Sequence, residues 1–497
     1  MSLPLTPPNI VFILADDLGY GDLGCFGNPI VRTPHLDRLA NEGVALTQHY
    51  AASPLCAPSR AGLLTGRYNH RTGAVDVPSN RGLDRIDTRE QTFADAFGAC
   101  GYATGMVGKW HNGLHDLRFH PNARGFSEFT GFLNGGMDYY RWVLDRNGRS
   151  EPADGRYLTD VFTDEAVAFV QRHRREPFLL YVAYNAPHDP LQAPDALVRR
   201  YRESGDALTD EVCTLYAMIE QMDAGIGRIL DALAKNGLAD NTIVLFTSDN
   251  GPYLNGARQR YNGPFRGAKG DALEGGIRVP GIVRWPDGLP AGTQSHFMTH
   301  FCDWFPTLLS LAGQERCRGE AGQVARPTAG GNEASSGVGR AISPAIPQDR
   351  MGLLPLDGYD MSCRLRGEAG DVPDIRFWQR NRYEPVPRCN GAMRDGPWKL
   401  VWPMQPGGDD KEPDDTVPYR TGLTTGHRIM PIDATLPSRS VEPGTVPQLF
   451  NVETDPFEER NIASEHPERV ATMTGAWDRW FEEMKAEWWP AYRRNVT

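Results

Sequence analysis

At 497 residues the chain is too long for one ordinary hydrophobic core and suits a large domain with a smaller companion. Its 40% hydrophobic and 23% charged content marks a soluble globular protein rather than a disordered one. The formal net charge of -11 excludes the basic face of a nucleic-acid binder and weighs against a long polyanionic substrate, though a small anion can still bind in a locally basic pocket.

The start, M-S-L-P-L-T-P-P, lacks the basic residues and apolar core of a secretory signal, and no apolar run is long enough to cross a bilayer. The expected location is therefore cytoplasmic with no membrane partner, or periplasmic or secreted if a signal has been trimmed. Residues 9–15 form the first apolar run and lead straight into Asp16 and Asp17. The same arrangement recurs. Residues 102–107 lead into G-K-W-H (108–111), 178–184 into Pro187-His188, and 242–248 into Asp249-Asn250-Gly251. Such short runs predict buried parallel strands. Helical patterns lie between them at 34–42, 92–100, 159–174 and 211–235. The alternation predicts an α/β fold, a mainly parallel sheet with helices on both faces, and the polar clusters gathered beyond one sheet edge.

Residues 314–350 have no apolar periodicity and read as a long loop insertion. After about residue 370 the alternation stops. Residues 391–402 and 448–452 predict strands of a smaller antiparallel sheet, with a Trp-rich helix at 476–489 packed on it. The expected division is a catalytic domain over 1–370 and a C-terminal α+β subdomain over 371–497.

Asp16, Asp17, Asp249 and Asn250 make two oxygen-rich pairs at two predicted strand ends. Each pair alone is as well read as a turn or helix cap. Together they predict a cation site, because uncompensated carboxylates repel, and all-oxygen ligation points to calcium, or magnesium, rather than zinc or copper. His111, His115 and His120 have a spacing open to zinc, but Asn112-Gly113 breaks the helix such a site prefers. The eight cysteines are scattered without a C-x-x-C pair and predict no disulfide framework. Cys56 alone stands in a chemically suggestive context, S-P-L-C-A-P-S-R, with Pro58 and Ser59 placed to start a helix whose buried turn is 61–65. It reads as a buried structural thiol, as a thiolate activated by the helix N-terminus and Arg60, or as the precursor of a modified residue.

The third reading comes from resemblance. C-A-P-S-R (56–60) matches the C-x-P-x-R signature of the formylglycine-dependent sulfatases, members of the alkaline phosphatase superfamily. Further segments are similar to that family: A-D-D-L-G-Y-G-D-L-G (15–24), T-P-H-L-D-R-L-A-N-E-G-V (33–44), G-K-W-H (108–111), A-P-H-D-P (186–190), T-S-D-N-G-P (247–252), R-G-A-K-G-D-A-L-E-G-G-I-R-V-P (266–280) and L-F-N-V-E-T-D-P-F-E-E-R-N (449–461). The resemblance implies a sulfuric ester hydrolase, arylsulfatase-like, acting on a small sulfated substrate, either a carbohydrate sulfate or an aryl sulfate. It implies formylglycine made from Cys56 by a maturation enzyme, and a calcium site of Asp16, Asp17, Asp249, Asn250 and residue 56. Arg60 and Lys109 would steady the aldehyde hydrate. On the same resemblance, one hydroxyl of that hydrate would attack sulfur with Asp249 as base, His188 and Lys269 would assist the departing oxygen, and His111 would deprotonate the second hydroxyl to expel sulfate.

Asn112 stands where many relatives carry an apolar residue, and the 314–350 insertion is longer than usual. Arg141, in M-D-Y-Y-R-W, and Tyr253, Arg258 and Arg260, after the second acidic pair, are candidates for binding the rest of the substrate. The M-D-Y-Y-R-W aromatics read equally well as packing in a loop-covered core. Two alternatives remain. One is hydrolysis of phosphomonoesters, phosphodiesters or phosphonate monoesters on the same scaffold. The other is a noncatalytic binder of sulfated ligands.

Overall fold

The computed structural model describes residues 7–114, 116–254, 260–314, 354–370, 372–416, 422 and 432–497. In chain order the strands are β1 (Asn9–Ala15), β2 (Val44–Leu46), β3 (His49–Tyr50), β4 (Ala103–Lys109), β5 (Glu128–Phe132), β6 (Val143–Arg146), β7 (Arg149–Pro152) and β8 (Phe178–Ala183). They continue with β9 (Thr242–Ser248), β10 (Gly281–Arg284), β11 (Thr293–Ser295), β12 (Thr299–His300), β13 (Ile375–Gln379), β14 (Gly391–Asp395), β15 (Trp398–Trp402) and β16 (Gln448–Asn451).

Ten strands form the main sheet in the order β11-β2-β10-β9-β1-β8-β4-β5-β6-β7. The run from β9 through β1, β8 and β4 to β5 is parallel, and antiparallel pairs extend it on both sides. β1 lies at the centre because both its faces are apolar. Val11 and Ile13 enter one core layer, while Ile10, Phe12 and Leu14 enter the other. This is the period-two signature of a strand covered on both sides. Helices Leu158–Arg172 and Asp210–Lys235 pack on the first face, and helices Cys56–Thr65, Phe93–Ala99 and Trp304–Leu311 on the second. Each fully buried Val, Leu, Ile or Phe in these layers contributes about 1.5–3 kcal/mol.

The second sheet, β13-β14-β15-β16, is antiparallel throughout. Residues 391–402 make two of its strands rather than one, because Gly396, at φ +56°, turns the chain between them. The Trp-rich helix packs on this sheet through Met473, Trp477 and Trp480, and runs farther than expected, from Pro467 to Val496. The proposed insertion at 314–350 lies outside the described residues, apart from residue 314. Among the described residues no helix is long and apolar enough to cross a membrane.

Candidate active site

Because the central strands are parallel, their carboxyl ends bring distant acids and bases to one edge. Asp16 and Asp17 directly follow β1, Asp249 and Asn250 directly follow β9, and β4 ends on Lys109 with His111 two residues on. His188 follows β8. The backbone bends sharply here: Asp17 has φ +63° and His111 φ +57°, left-handed conformations that are uncommon for non-glycine residues.

Cys56 comes to the same edge on a different element. Helix formation starts at Cys56 itself, two residues before the expected start, with Leu55 extended as its N-cap. Pro58 then sits in the first turn, where its missing N–H costs nothing. All ten residues of this helix are buried, so Cys56 and Arg60 face inward together.

The cations and carboxylates interlock. Lys109 Nζ donates to Asp16 Oδ2 at 2.6 Å, and Lys269 Nζ to Asp17 Oδ2 at 2.8 Å. Arg60 grips Asp249 Oδ2 through Nε at 2.9 Å and Nη2 at 2.8 Å, and its Nη1 donates to the Lys109 carbonyl at 3.1 Å. Asn250 Nδ2 donates to Asp17 Oδ1 at 2.7 Å, while His188 Nε2 lies 3.6 Å from Asp17 Oδ2. Burial would raise the Asp16 carboxyl, but Lys109, His188 and Arg60 outweigh it and hold the group well below the usual carboxylate range. Asp249 is pushed up to about 6 by burial and by repulsion from Asp16, against the pull of Arg60. Burial pushes the Cys56 thiol up despite Lys109 and Lys269, which counts against an activated thiolate. His111 is held well below its usual value, first by burial and then by Lys109 and Arg60.

Two observations fit this donor set to a divalent cation. Asp16 Oδ1 and Asn250 Oδ1 are buried without a hydrogen-bond partner. Single ligand atoms of Asp16, Cys56 and Asp249 also lie within 4.8 Å of one another. An ion bound there would relieve the residual repulsion that lifts Asp249.

The cleft above these groups has a volume of about 360 Å³. Cys56, His111, His188 and Lys269 lie on its wall together with Tyr253, whose ring centroid is 5.3 Å from Lys269 Nζ. The other substrate candidates are placed elsewhere. The Arg141 side chain is 76% exposed, pairs with Asp138 and does not line the cleft, and Met137, Tyr139 and Trp142 are buried, as the packing reading expects, whereas Tyr140 is exposed. Arg260 does not line the cleft mouth either: it is buried and ion-paired with Asp22. Arg258 and His115 lie outside the described residues. His120 contacts Asp145 and shares no cluster of possible metal ligands with His111 among the described residues. Sequence reasoning missed Arg380, Arg382 and Asp409, which line the cleft from the C-terminal part. They belong to no motif, and only their position just after or near strands of the second sheet hints at them.

The sulfatase family model matches residues 8–314. Mouse steryl-sulfatase is 36% identical, over 80% of this chain and 70% of that protein. Human arylsulfatase D is 34% identical, over 92% and 82%. Among solved structures, one described as Ps i-CgsB in complex with k-i-k-neocarrahexaose superposes with a TM-score of 0.74 at 28% identity, covering 96% of this chain and 93% of that one. A phosphonate monoester hydrolase of Agrobacterium radiobacter shares the fold at 19% identity and a TM-score of 0.60, over 97% and 96%.

Proposed function

The chain belongs to the sulfatase family and hydrolyses sulfuric esters, and from that premise we propose that residue 56 is its nucleophile after oxidation of Cys56 to formylglycine by a maturation enzyme. The observation that carries this reading is the place of Cys56: first residue of a buried helix, on the cleft wall, in ligand reach of Asp16 and Asp249. An aldehyde at this position supplies, as its hydrate, two hydroxyls on one carbon, one for attack and one for release. Asp16, Asp17, Asp249 and Asn250 would hold a calcium or magnesium ion, which supplies charge neutralisation for an anionic ester.

The remaining roles follow from the side chains themselves. Arg60 and Lys109 keep positive charge against residue 56 and fix Asp16 and Asp249. Asp249, in ligand reach of residue 56, is placed to accept a proton from the attacking hydroxyl. His111, on the cleft wall with residue 56, is placed to take the second proton. Lys269 and His188, both on the cleft wall, assist the departing oxygen. Carbohydrate sulfates are the favoured substrates, with aryl sulfates second. The neighbour solved with a neocarrahexaose, an oligosaccharide, supports that order. The catalytic part extends to about residue 370, with the C-terminal subdomain closing the cleft.

Peptide mass at residue 56, paired with turnover, tests the proposal. Cys56→Ala should abolish activity with the fold intact. Cys56→Ser keeps one hydroxyl but no geminal partner, so it should become sulfated once and stall. Full turnover by protein whose Cys56 is verified as unmodified would refute the mechanism. Aryl phosphate turned over faster than aryl sulfate would favour a phosphoryl substrate instead.

A further inference from the structure

Two arginines on the cleft wall have no part in the chemistry above. Arg380 directly follows β13, and its side chain is only 2% exposed. Its Nη1 lies 2.6 Å from Asp409 Oδ1, and its Nε is buried without a hydrogen-bond partner. Arg382 Nη1 donates to Asp76 at 2.8 Å, and its Nε, 3.3 Å from Asp409 Oδ1, also lacks a hydrogen bond.

The pair is fixed relative to the sulfate-binding end of the cleft. A Cβ added to Gly270, the residue after Lys269, would lie 3.6 Å from Arg380 Nη1. Asn390 splints the two segments. Its Nδ2 donates to the Gly270 carbonyl at 2.6 Å and the Arg380 carbonyl at 2.8 Å, and its Oδ1 accepts from the Ala272 N–H at 3.0 Å.

The counter-charges are unequal. Asp76 is fully buried and also accepts from the Tyr383 N–H at 3.0 Å, so it is committed to structure. Asp409 is 55% exposed and bridges both arginines from the solvent side. Burial and the neighbouring Arg382 charge both push Arg380 below the usual arginine range, so a further anion would be welcome there. Guanidinium forks match oxyanions in a way a lysine does not.

We propose that Arg380 and Arg382 determine specificity by receiving a second anionic group, a carboxylate or a second sulfate, carried on the alcohol part of the sulfate ester, with Asp409 as the counter-ion that it displaces. This rests on the sulfate-ester reading of the cleft and narrows its substrate class.

The test uses the full chain with residue 56 matured. Its probes are positional isomers of a neutral methyl hexopyranoside monosulfate, the matching uronate monosulfates and the matching disulfates, with 4-nitrophenyl sulfate as reference. Within an isomer series an anion-bearing member should exceed the neutral one at least about tenfold in kcat/KM, a usual scale for a charge-assisted contact. Whether the uronate or the disulfate carries the preference identifies the group. Arg380→Gln and Arg382→Gln should each cut the preference ratio severalfold, chiefly through KM, and Arg380→Lys should restore part of it. A fold defect would lower both members and leave the ratio alone. Asp409→Asn should raise the ratio. Turnover without anion preference, a preference that survives both Gln variants, or an Asp409→Asn ratio below wild type would overturn the subsite. Failure to turn over any sulfate ester, 4-nitrophenyl sulfate included, would instead strike the underlying function.

Discussion

Replacing Lys399 with Met removes a cation that bridges two buried carboxylates and should loosen the join between the two sheets. Lys399 lies on β15, and its Nζ is 2.9 Å from both Glu274 Oε1 and Glu458 Oε1, with all three side chains fully buried. At an effective dielectric of 20, each 2.9 Å contact carries about 6 kcal/mol of attraction, offset by several kcal/mol for burying the ammonium. Breaking such a buried arrangement from one side costs about 3–5 kcal/mol. Part of the support for Glu274 survives through the Tyr50 hydroxyl at 2.7 Å and Arg278 at 3.2 Å, so the lower end of that span is expected.

The pH dependence gives a sharper signature. In the wild type burial pushes the Glu274 carboxyl up, but Lys399, Arg278 and Arg394 outweigh it and hold it at about 2. Its stabilisation is therefore complete above the unfolded value of 4.5 and is lost as pH falls toward 2. Glu458 is already raised by burial and by Glu274, against Lys399. Without Lys399 it must rise further. A raised carboxyl contributes stability below its unfolded value and loses it as pH climbs through the folded value. The variant's deficit should accordingly be larger at pH 8 than at pH 5, and Glu458→Gln added to Lys399→Met should recover part of it. Urea unfolding followed by Trp fluorescence at both pH values measures this. A loss under about 1 kcal/mol, or one that does not change with pH, would refute the reasoning.

Chelation with metal removal should abolish turnover, and calcium or magnesium should restore it better than zinc; full activity with no metal retained would contradict the oxygen-donor site. Lys269→Ala and His188→Ala should each slow esters with poor leaving groups far more than activated aryl sulfates, read as a steeper dependence of kcat/KM on leaving-group pKa. Gly108→Ala should be severely destabilising, by more than about 3 kcal/mol, because φ is +111° and the added Cβ would lie 1.9 Å from the Ala183 carbonyl oxygen on β8. Gly148→Ala, at φ +83° with nothing within 4 Å, should cost only about 1 kcal/mol in the same unfolding assay.

What the sequence disclosed was what local pattern encodes. β1, β8 and β9 were legible because both alternating faces are apolar, with a polar pair just after β1 and β9 and Pro187-His188 after β8. Their meeting at one edge then followed from parallel pairing. The hairpin of β6 and β7 at the edge of the main sheet was not foreseen, since R-S-E-P is polar and pairs only by proximity to V-L-D-R. Arg260 was misplaced for a similar reason: its partner Asp22 is 238 residues away, and no spacing rule reveals such an ion pair. Arg380 and Lys399 were invisible because their significance comes from the second sheet docking against the first.

The helix Pro467–Val496 also bears on how the molecule comes together in time. Its Asn495 accepts from Arg85 through the backbone carbonyl and donates to the Arg85 carbonyl at 2.7 Å, while Glu487 pairs with Arg67 at 2.9 Å and Arg494 with Asp87 at 2.6 Å. These partners lie in the stretch just after the Cys56 helix, about 410 residues upstream of Asn495. During synthesis the region around Arg67 to Asp87 therefore waits for its clasp until nearly the whole described chain has been made. A ribosome adding roughly 5–20 residues per second leaves that region without its partners for some tens of seconds. Substitutions that weaken the clasp should thus reduce the yield of folded protein more than they reduce the activity of the molecules that do fold.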